Sequence, residues 1–289
     1  MTWADFARLS ALACCWGFAF VFIRVAVSEF GAVALVEVRT LIACVLLLWV
    51  AQVRGIALDW RGRWKSYLAI ASINSALPFT LIAFAQTALT ASFTVIAVAV
   101  TPLLSALVAA LWIGESLSAR KLAGLALGIA GVALLIGWAP GGDATPLWAE
   151  LLLLAASLSY AVAGVATKRY FQHLPPHALA TGSQLGTALW LLVPAFFYLP
   201  AQVPGALAWS AAAAAGVFSS AIAFMLYFRL IADIGPVKTL SVNYLTPLAG
   251  VTGGVLLLGE TVTANMAAGA LLIMAGVALV LRAPQRRAP

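Results

Sequence analysis

Two Thr-Pro pairs, Thr101-Pro102 and Thr246-Pro247, lie 145 residues apart, each inside a long apolar run. Proline has no N–H, so in a helix the carbonyls of Val98 and Asn243, four residues earlier, lose their donors and are left as acceptors. The chemistry on offer is hydrogen bonding to an ammonium or a hydroxyl, not covalent attack. Pro78 repeats the device at the carbonyl of Asn74. Inside a membrane such carbonyls are tolerated where they face protein or a wet cavity; a kink used only for helix packing is the alternative. Asn74 and Asn243 each stand four residues before a proline, so an amide and a freed carbonyl occur together.

Ring-bearing residues divide by depth. Trp3, Trp49, Trp60, Trp64, Trp112, Trp138, Trp148 and Trp209 fall near the ends of apolar runs, as interfacial belts do. Trp16, Phe20, Phe79, Tyr160, Phe224, Tyr227 and Tyr244 fall deeper. Trp16 and Phe20 share a helical face at i, i+4. A cavity lined by such rings would favour an apolar or aromatic body and allow cation–π contact, with lipid-facing packing as the competing role. The expected substrate-binding set is Trp16, Phe20, Asn74, Phe79, Thr101, Tyr160, Ser220, Phe224, Tyr227, Asn243 and Tyr244, with helix kinks at Pro78, Pro102 and Pro247.

Covalent catalysis finds no support. The sequence has no HExxH, no Ser/His/Asp set and no clustered Asp pair, so no enzyme is expected and no catalytic residue is assigned. Cys14, Cys15 and Cys44 read as small core hydrophobes, and His173 and His177 share a solvated turn. No metal and no cofactor is expected.

The elements that must position these groups are helices in a bilayer. With 64% hydrophobic and 9% charged residues, the chain has too little polar surface to cover a water-soluble globule. Runs of about 20 apolar residues match a hydrocarbon core of about 30 Å. Ten spans are expected, near 6–27, 32–53, 66–87, 90–113, 119–138, 147–169, 177–199, 208–232, 236–258 and 264–282, with DWRGRWK at 59–65 and GWAPGGDATP at 137–146 among the breaks. Every Lys and Arg except Arg24 and Arg39 then falls on the side of the amino terminus, so the positive-inside rule puts both termini in the cytoplasm; a location in the cell (inner) membrane is expected. The formal net charge of +7 is thus a topology signal; no basic cluster forms a groove for nucleic acid.

A shift of 145 aligns Thr101 with Thr246, Pro102 with Pro247, Gly114 with Gly259, Glu115 with Glu260, Gly124 with Gly269 and Gly131 with Gly276. The pattern T-P-x11-G-E-x8-G-x6-G therefore occurs twice, in repeats expected over 1–143 and 144–289. Asn74 and Ser75 correspond to Ser219 and Ser220, for which glue between helices is the alternative to a cavity role. Each half holds five spans, an odd number, so the second half enters the membrane from the opposite side. The expected fold is all-α and integral to the membrane: ten transmembrane helices in an inverted five-plus-five repeat. Such repeats support alternating access around a site near the midplane; a duplicated scaffold without transport is the alternative. Gly124, Gly128 and Gly131, with Ala268, Gly269 and Gly276, read as close-packing faces, assigning the fifth and tenth helices to scaffolding and leaving helices one to four and six to nine around the cavity.

Charges near span ends are read structurally. Arg24 and Glu37 are expected to pair, Arg39 to point elsewhere near the outer surface, and Glu115 and Glu260 to cap the fifth and tenth helices. With no deep Lys or Arg expected, a dianionic substrate is disfavoured. With no acidic group or His near a span centre, a facilitator or exchanger is favoured over proton coupling.

The doubled motif with AGVALLI or AGVALVL behind it, the CCWGFAFVFIR opening and the VRTLIACVLLL second span resemble EamA-type carriers of the drug/metabolite transporter superfamily, over both halves. The compact chain is similar to the YddG-type amino-acid exporters. The resemblance implies small-metabolite transport, often efflux of amino acids; the expected partners are a small-molecule substrate and the lipid bilayer, with monomer and homodimer both open. Carriage of sugar phosphates, nucleotide sugars or other metabolites is the alternative. The second half opens with SLSYAVAGVATKRY and lacks the Trp-Gly pair of the first.

Overall fold

Among the described residues, ten helices follow one another. Thr2 opens α1 (Trp3–Phe30) with a reciprocal cap: its Oγ1 accepts the Asp5 N–H at 3.2 Å while Asp5 Oδ2 accepts the Thr2 N–H at 2.8 Å. Gly31, at φ 71, turns the chain straight into α2 (Ala32–Val53). There follow α3 (Trp60–Ala85), α4 (Ala91–Ile113), α5 (Ala119–Ile136), α6 (Leu147–Phe171) and α7 (Pro176–Phe197). Next come α8, running through Ala206–Ala214, Ala215–Ile222 and Ala223–Ile234, then α9 (Val242–Leu258) and α10 (Ala264–Leu281). The computed structural model describes residues 2–136 and 145–281, without the side chains of Phe228, Ala232, Pro236 and Val237. Most of the turn at 137–146, Trp138, the 143/144 boundary and Arg282, Arg286 and Arg287 lie outside these residues. Among the described residues, 9 helices are long and apolar enough to cross a membrane, and α9, with 17 residues, is the shorter tenth. The chain is a multi-pass membrane protein.

Three spans differ from the sequence-based boundaries. The DWRGRWK stretch, expected as a break, forms the first turns of α3: Asp59, at φ 44, ends the preceding turn and its Oδ2 accepts Arg63 Nε at 3.1 Å. The ninth span is not continuous, because a single turn, Pro236–Thr239, precedes a break before α9 resumes at Val242. In α4 the helix divides into Ala91–Val98 and Thr101–Ile113, since Pro102 offers no donor to the turn before it.

Consecutive helices alternate direction, giving a face that carries the start of α1 and the end of α10, here the terminal face, and an opposite face. Contacts agree with this alternation. Arg8 bonds Asp233 at 2.8 Å and Lys168 bonds Glu115 at 2.6 Å on the terminal face, while Glu29 accepts the Gly205 N–H on the other. Both repeats end their fourth helix in the same way: Gly114 and Gly259 take φ 68 and φ 65, a left-handed geometry suited to glycine.

The repeat extends to an irregularity. In α3 the segment Ser72–Ala76 is π-helical, and so is Ala215–Ile222 in α8, which contains the shift-equivalent positions. Pro78 explains the first widening, yet Ala223 stands in its place in α8, so the proline is not what both share. Helix α2 packs on the π segment of α8, and α7 packs on that of α3. Helices α5 and α10 pack on each other so closely that a Cβ on Gly276 would meet the Gly124 carbonyl at 2.5 Å and one on Gly131 the Gly269 carbonyl at 2.8 Å. They stand apart from the cavity described next.

Candidate functional site

Between the repeats lies a cavity of about 320 Å³. Helix α1 contributes Trp16, Ala19, Phe20 and Ile23; α2 contributes Arg39; α3 contributes Asn74, Phe79 and Ile82. From α4 come Val95, Val98, Ala99, Thr101 and Pro102, and from α6 Tyr160. The remaining wall is Ser219, Phe224 and Tyr227 of α8 with Asn243, Thr246 and Pro247 of α9. The π segments explain why Asn74 and Ser219 both reach it, since a π turn adds a residue and re-aims the side chains that follow.

Rings dominate the lining. Trp16 and Tyr227 meet at 5.5 Å between centroids, joining α1 to α8, and Phe79 meets Tyr160 edge-on at 6.4 Å, joining α3 to α6. Each pair links helices of different repeats. The polar groups are few: amides on Asn74 and Asn243, hydroxyls on Thr101, Ser219 and Thr246, phenols on Tyr160 and Tyr227, and one guanidinium among the described lining residues. That ratio of apolar wall to directed polar groups is typical of small-molecule sites.

The freed carbonyls are in part engaged by the protein itself. Thr101 Oγ1 donates to the Val98 carbonyl at 2.7 Å, and Ser159 Oγ of α6 donates to the Ile73 carbonyl at 2.7 Å beside the π segment. Thr246 does not repeat the Thr101 bond: its Oγ1 donates to the Val242 carbonyl at 3.0 Å. Pro247 supplies nothing to the Asn243 carbonyl, which lies on a residue that lines the cavity.

Of the residues picked out from the sequence, Trp16, Phe20, Asn74, Phe79, Thr101, Tyr160, Phe224, Tyr227 and Asn243 meet around this one space, with Pro102 and Pro247. Ser220, Tyr244 and Pro78 do not line it. Ser220 is turned toward α2, where its Oγ accepts Arg39 Nε at 3.0 Å, and the adjacent Ser219 takes the cavity position. Tyr244 packs against the apolar core that includes Val95 and Ile96, and Pro78 is buried within α3. Helix α7, expected around the cavity, is packed on α2 and α3 and contributes no lining residue among those described.

Three readings of charge are corrected. Arg24 does not pair with Glu37: its Nη1 donates to the carbonyls of Gln86 and Thr87, and Glu37 is buried with neither oxygen hydrogen-bonded. Arg39, about two turns into α2, does not reach out to the surface: it is 4% exposed and lines the cavity, so the wall of the central space does carry a cation. It was findable, because an intramembrane charge is a functional candidate by default. Glu260 does not cap its own following helix, where Thr263 accepts the Met266 N–H; it crosses to α4 and accepts the N–H groups of Ala91 at 2.7 Å and Ser92 at 2.8 Å. Its repeat counterpart Glu115 is held by Lys168 at 2.6 Å and Lys121 at 3.3 Å. Those bonds, Lys168 first, hold the Glu115 carboxyl below its ordinary pKa.

The two ends of the cavity differ. On the face opposite the termini, Ala91–Val98 of α4 packs on α9, and Gln86 Nε2 of the α3–α4 turn donates to the Phe20 carbonyl at 2.9 Å. Toward the terminal face, Thr101–Ile113 packs instead on α6 and α10, so α4 and α9 diverge there.

The sequence profile of the EamA-like transporter family matches the chain twice, over residues 6–137 and 147–282. The transporter YvbV of Bacillus subtilis is 27% identical, over 94% of this chain and 90% of its own. A probable terminal-alkyne amino-acid exporter of Streptantibioticus cattleyicolor is 28% identical, over 92% of this chain and 90% of its own. One solved crystal structure superposes with a TM-score of 0.69 at 21% identity, covering 96% of each chain; at that identity the likeness speaks for the fold alone.

Proposed function

The chain belongs to the EamA-like transporter family, and from this premise we propose that it exports small metabolites, most of all amino acids with aromatic or other apolar side chains, by alternating access around the midplane cavity. The observation that carries the reading is the ring-lined space between the repeats, where Trp16, Tyr227, Phe79 and Tyr160 surround the amides of Asn74 and Asn243. Aromatic walls hold an apolar body by dispersion, and amide oxygens accept from an ammonium. The inverted arrangement supplies the movement: exchanging the conformations of the two repeats moves the divergence of α4 and α9 from one face to the other. The terminal face is read as cytoplasmic from the distribution of Lys and Arg, in an inner membrane. Cysteines placed at Gly62 and Ala201 should then label from opposite sides.

No acidic residue or histidine is among the described lining residues, so the favoured energy source is the solute gradient itself. Counterflow in proteoliposomes tests the function: labelled phenylalanine should accumulate against internal phenylalanine at a rate independent of an imposed proton gradient. Accumulation of a labelled sugar phosphate with none of phenylalanine would replace this reading by the organophosphate alternative, which the presence of Arg39 keeps in view.

A further inference from the structure

We propose that Arg39 is the residue that receives the carboxylate of the transported solute, and that the site therefore selects monocarboxylates over amines and amides that lack a carboxylate and over phosphate dianions; this rests on the amino-acid reading above and names the group by which such a substrate is recognised. Arg39 lies on α2 in the cavity wall, with its guanidinium carbon 4.1 Å from the centroid of Phe79. Its Nε is engaged by Ser220 at 3.0 Å. Among the described residues no carboxylate comes within ion-pair distance of it, and its two terminal nitrogens donate to no protein acceptor. Glu37, two positions earlier, points to another side of the helix and bonds nothing.

The geometry resolves into a held stem and an open fork. Phe79 and Ser220 fix the plane of the guanidinium from two sides, and the paired N–H groups that remain are the ones that match a carboxylate bidentately. A cation removed from bulk water without a counter-charge is costly, and a solute carrying a single negative charge relieves that cost. A phosphate dianion on the same fork would keep one charge unmatched, because no second cation is among the described lining residues. The apolar body of a bound amino acid then faces Phe20, Trp16 and Tyr227.

The second repeat carries no duplicate of this anchor. The shift that maps Ser220 onto Ser75 maps Arg39 onto Gln184. Gln184 is wholly buried, outside the cavity lining, with neither amide atom hydrogen-bonded. One anchor, on one wall, gives the substrate a single polarity in the site.

The test is inhibition of labelled phenylalanine counterflow in proteoliposomes of the full chain by four compounds: phenylalanine, its amide, phenylethylamine and 3-phenylpropionate. Wild-type protein should be inhibited by phenylalanine and by phenylpropionate at least tenfold more strongly than by the amide or the amine. Arg39→Met should raise the apparent KM for phenylalanine at least tenfold and abolish that preference, while inhibition by phenylethylamine stays within threefold of wild type. A merely structural arginine would lower all four alike. Arg39→Lys, which keeps the charge without the fork, should fall between. Equal inhibition of wild type by phenylalanine and its amide, or an Arg39→Met protein that still prefers carboxylates, would overturn the proposal. Should Arg39→Met fail to insert, the wild-type comparison and Arg39→Lys decide alone. Should wild type carry no amino acid, the functional reading fails separately. The proposal then stands or falls on whether phenylpropionate, and not its amide, raises the melting temperature of the purified wild-type protein, and raises that of Arg39→Lys by less.

Discussion

Helix α2 lies on the π segment of α8 in the way α7 lies on the π segment of α3, and at matched positions the two contacts hold Arg39 and Gln184. Arg39 meets Ser220 and opens to the cavity; Gln184 is sealed away from it, although the neighbouring Ser183 meets Ser75 at 3.3 Å. The backbone device has been kept in both copies while the charge has been kept in one. An inverted repeat therefore need not give a symmetric cavity: the fold duplicates the π segment and the helix packed on it, while the side chains at matched positions differ.

A second contrast repeats the lesson at the ends of the cavity. Glu260 bridges α9–α10 to the first turn of α4, where two backbone N–H groups and the helix dipole suit a carboxylate. Glu115, its equivalent, sits between two lysines instead. The face held by Glu260 is the one where α4 and α9 are packed together, and the face near Glu115 is the one where they diverge.

The strongest way to break the first comparison is to charge the second copy. Gln184→Arg should lower stability by about 3 kcal/mol or more, because the position is sealed and an unmatched buried cation is costly. Gln184→Leu should be neutral or stabilising by roughly 1 kcal/mol, since it removes an amide whose atoms bond nothing. Melting of the purified variants reads both. A Gln184→Arg protein as stable as wild type would mean that this contact can open to the cavity as the other does.

The two prolines sharpen the comparison at lower cost. Thr101 already occupies the Val98 carbonyl, whereas Thr246 bonds the Val242 carbonyl and not that of Asn243. Pro247→Ala should thus reduce the counterflow rate by about tenfold, a loss near 1.4 kcal/mol, and Pro102→Ala by less than threefold, with insertion unchanged in both. Equal losses would remove the distinction drawn between α4 and α9.

The smallest effect concerns Glu115. Its folded pKa is lowered, so the stability it contributes is present above the ordinary carboxylate pKa and is lost as pH falls through the lower folded value. Lys168→Met should move that acid-side loss upward in pH, by under about 1 kcal/mol because the lysine is more than half exposed. Melting curves between pH 3 and 6 would show it; an unchanged acid limb would assign the pair no role in stability.

How much of this was legible in the sequence follows from what hydropathy encodes. Run lengths and the 145-residue shift carry the helices and their pairing, because both depend only on composition and register. Depth was readable too, which is why Trp16, Phe79, Tyr160 and Asn243 meet in one space. The side of a helix was harder to read where every side is apolar. Ser220 and Ser219 exchange roles because the π turn rotates the faces after it, and Tyr244 lies one position from Asn243 and so packs into the core. Arg39 stands near one end of α2, yet the cavity reaches toward the face opposite the termini as far as Ile82 and Val95, so nearness to a helix end does not keep it out of the cavity.

The central claim, that the ring-lined space between the repeats is where an amino acid binds, is tested most directly by protection of a cysteine in its wall. In a background where Cys14, Cys15 and Cys44 are replaced by alanine, Thr246→Cys, half-buried in the same wall, should react with a small thiol reagent. Phenylalanine should slow that reaction at least fivefold at saturating concentration, and a sugar phosphate should leave it unchanged. Reaction unaffected by phenylalanine, or slowed by the sugar phosphate alone, would contradict the account.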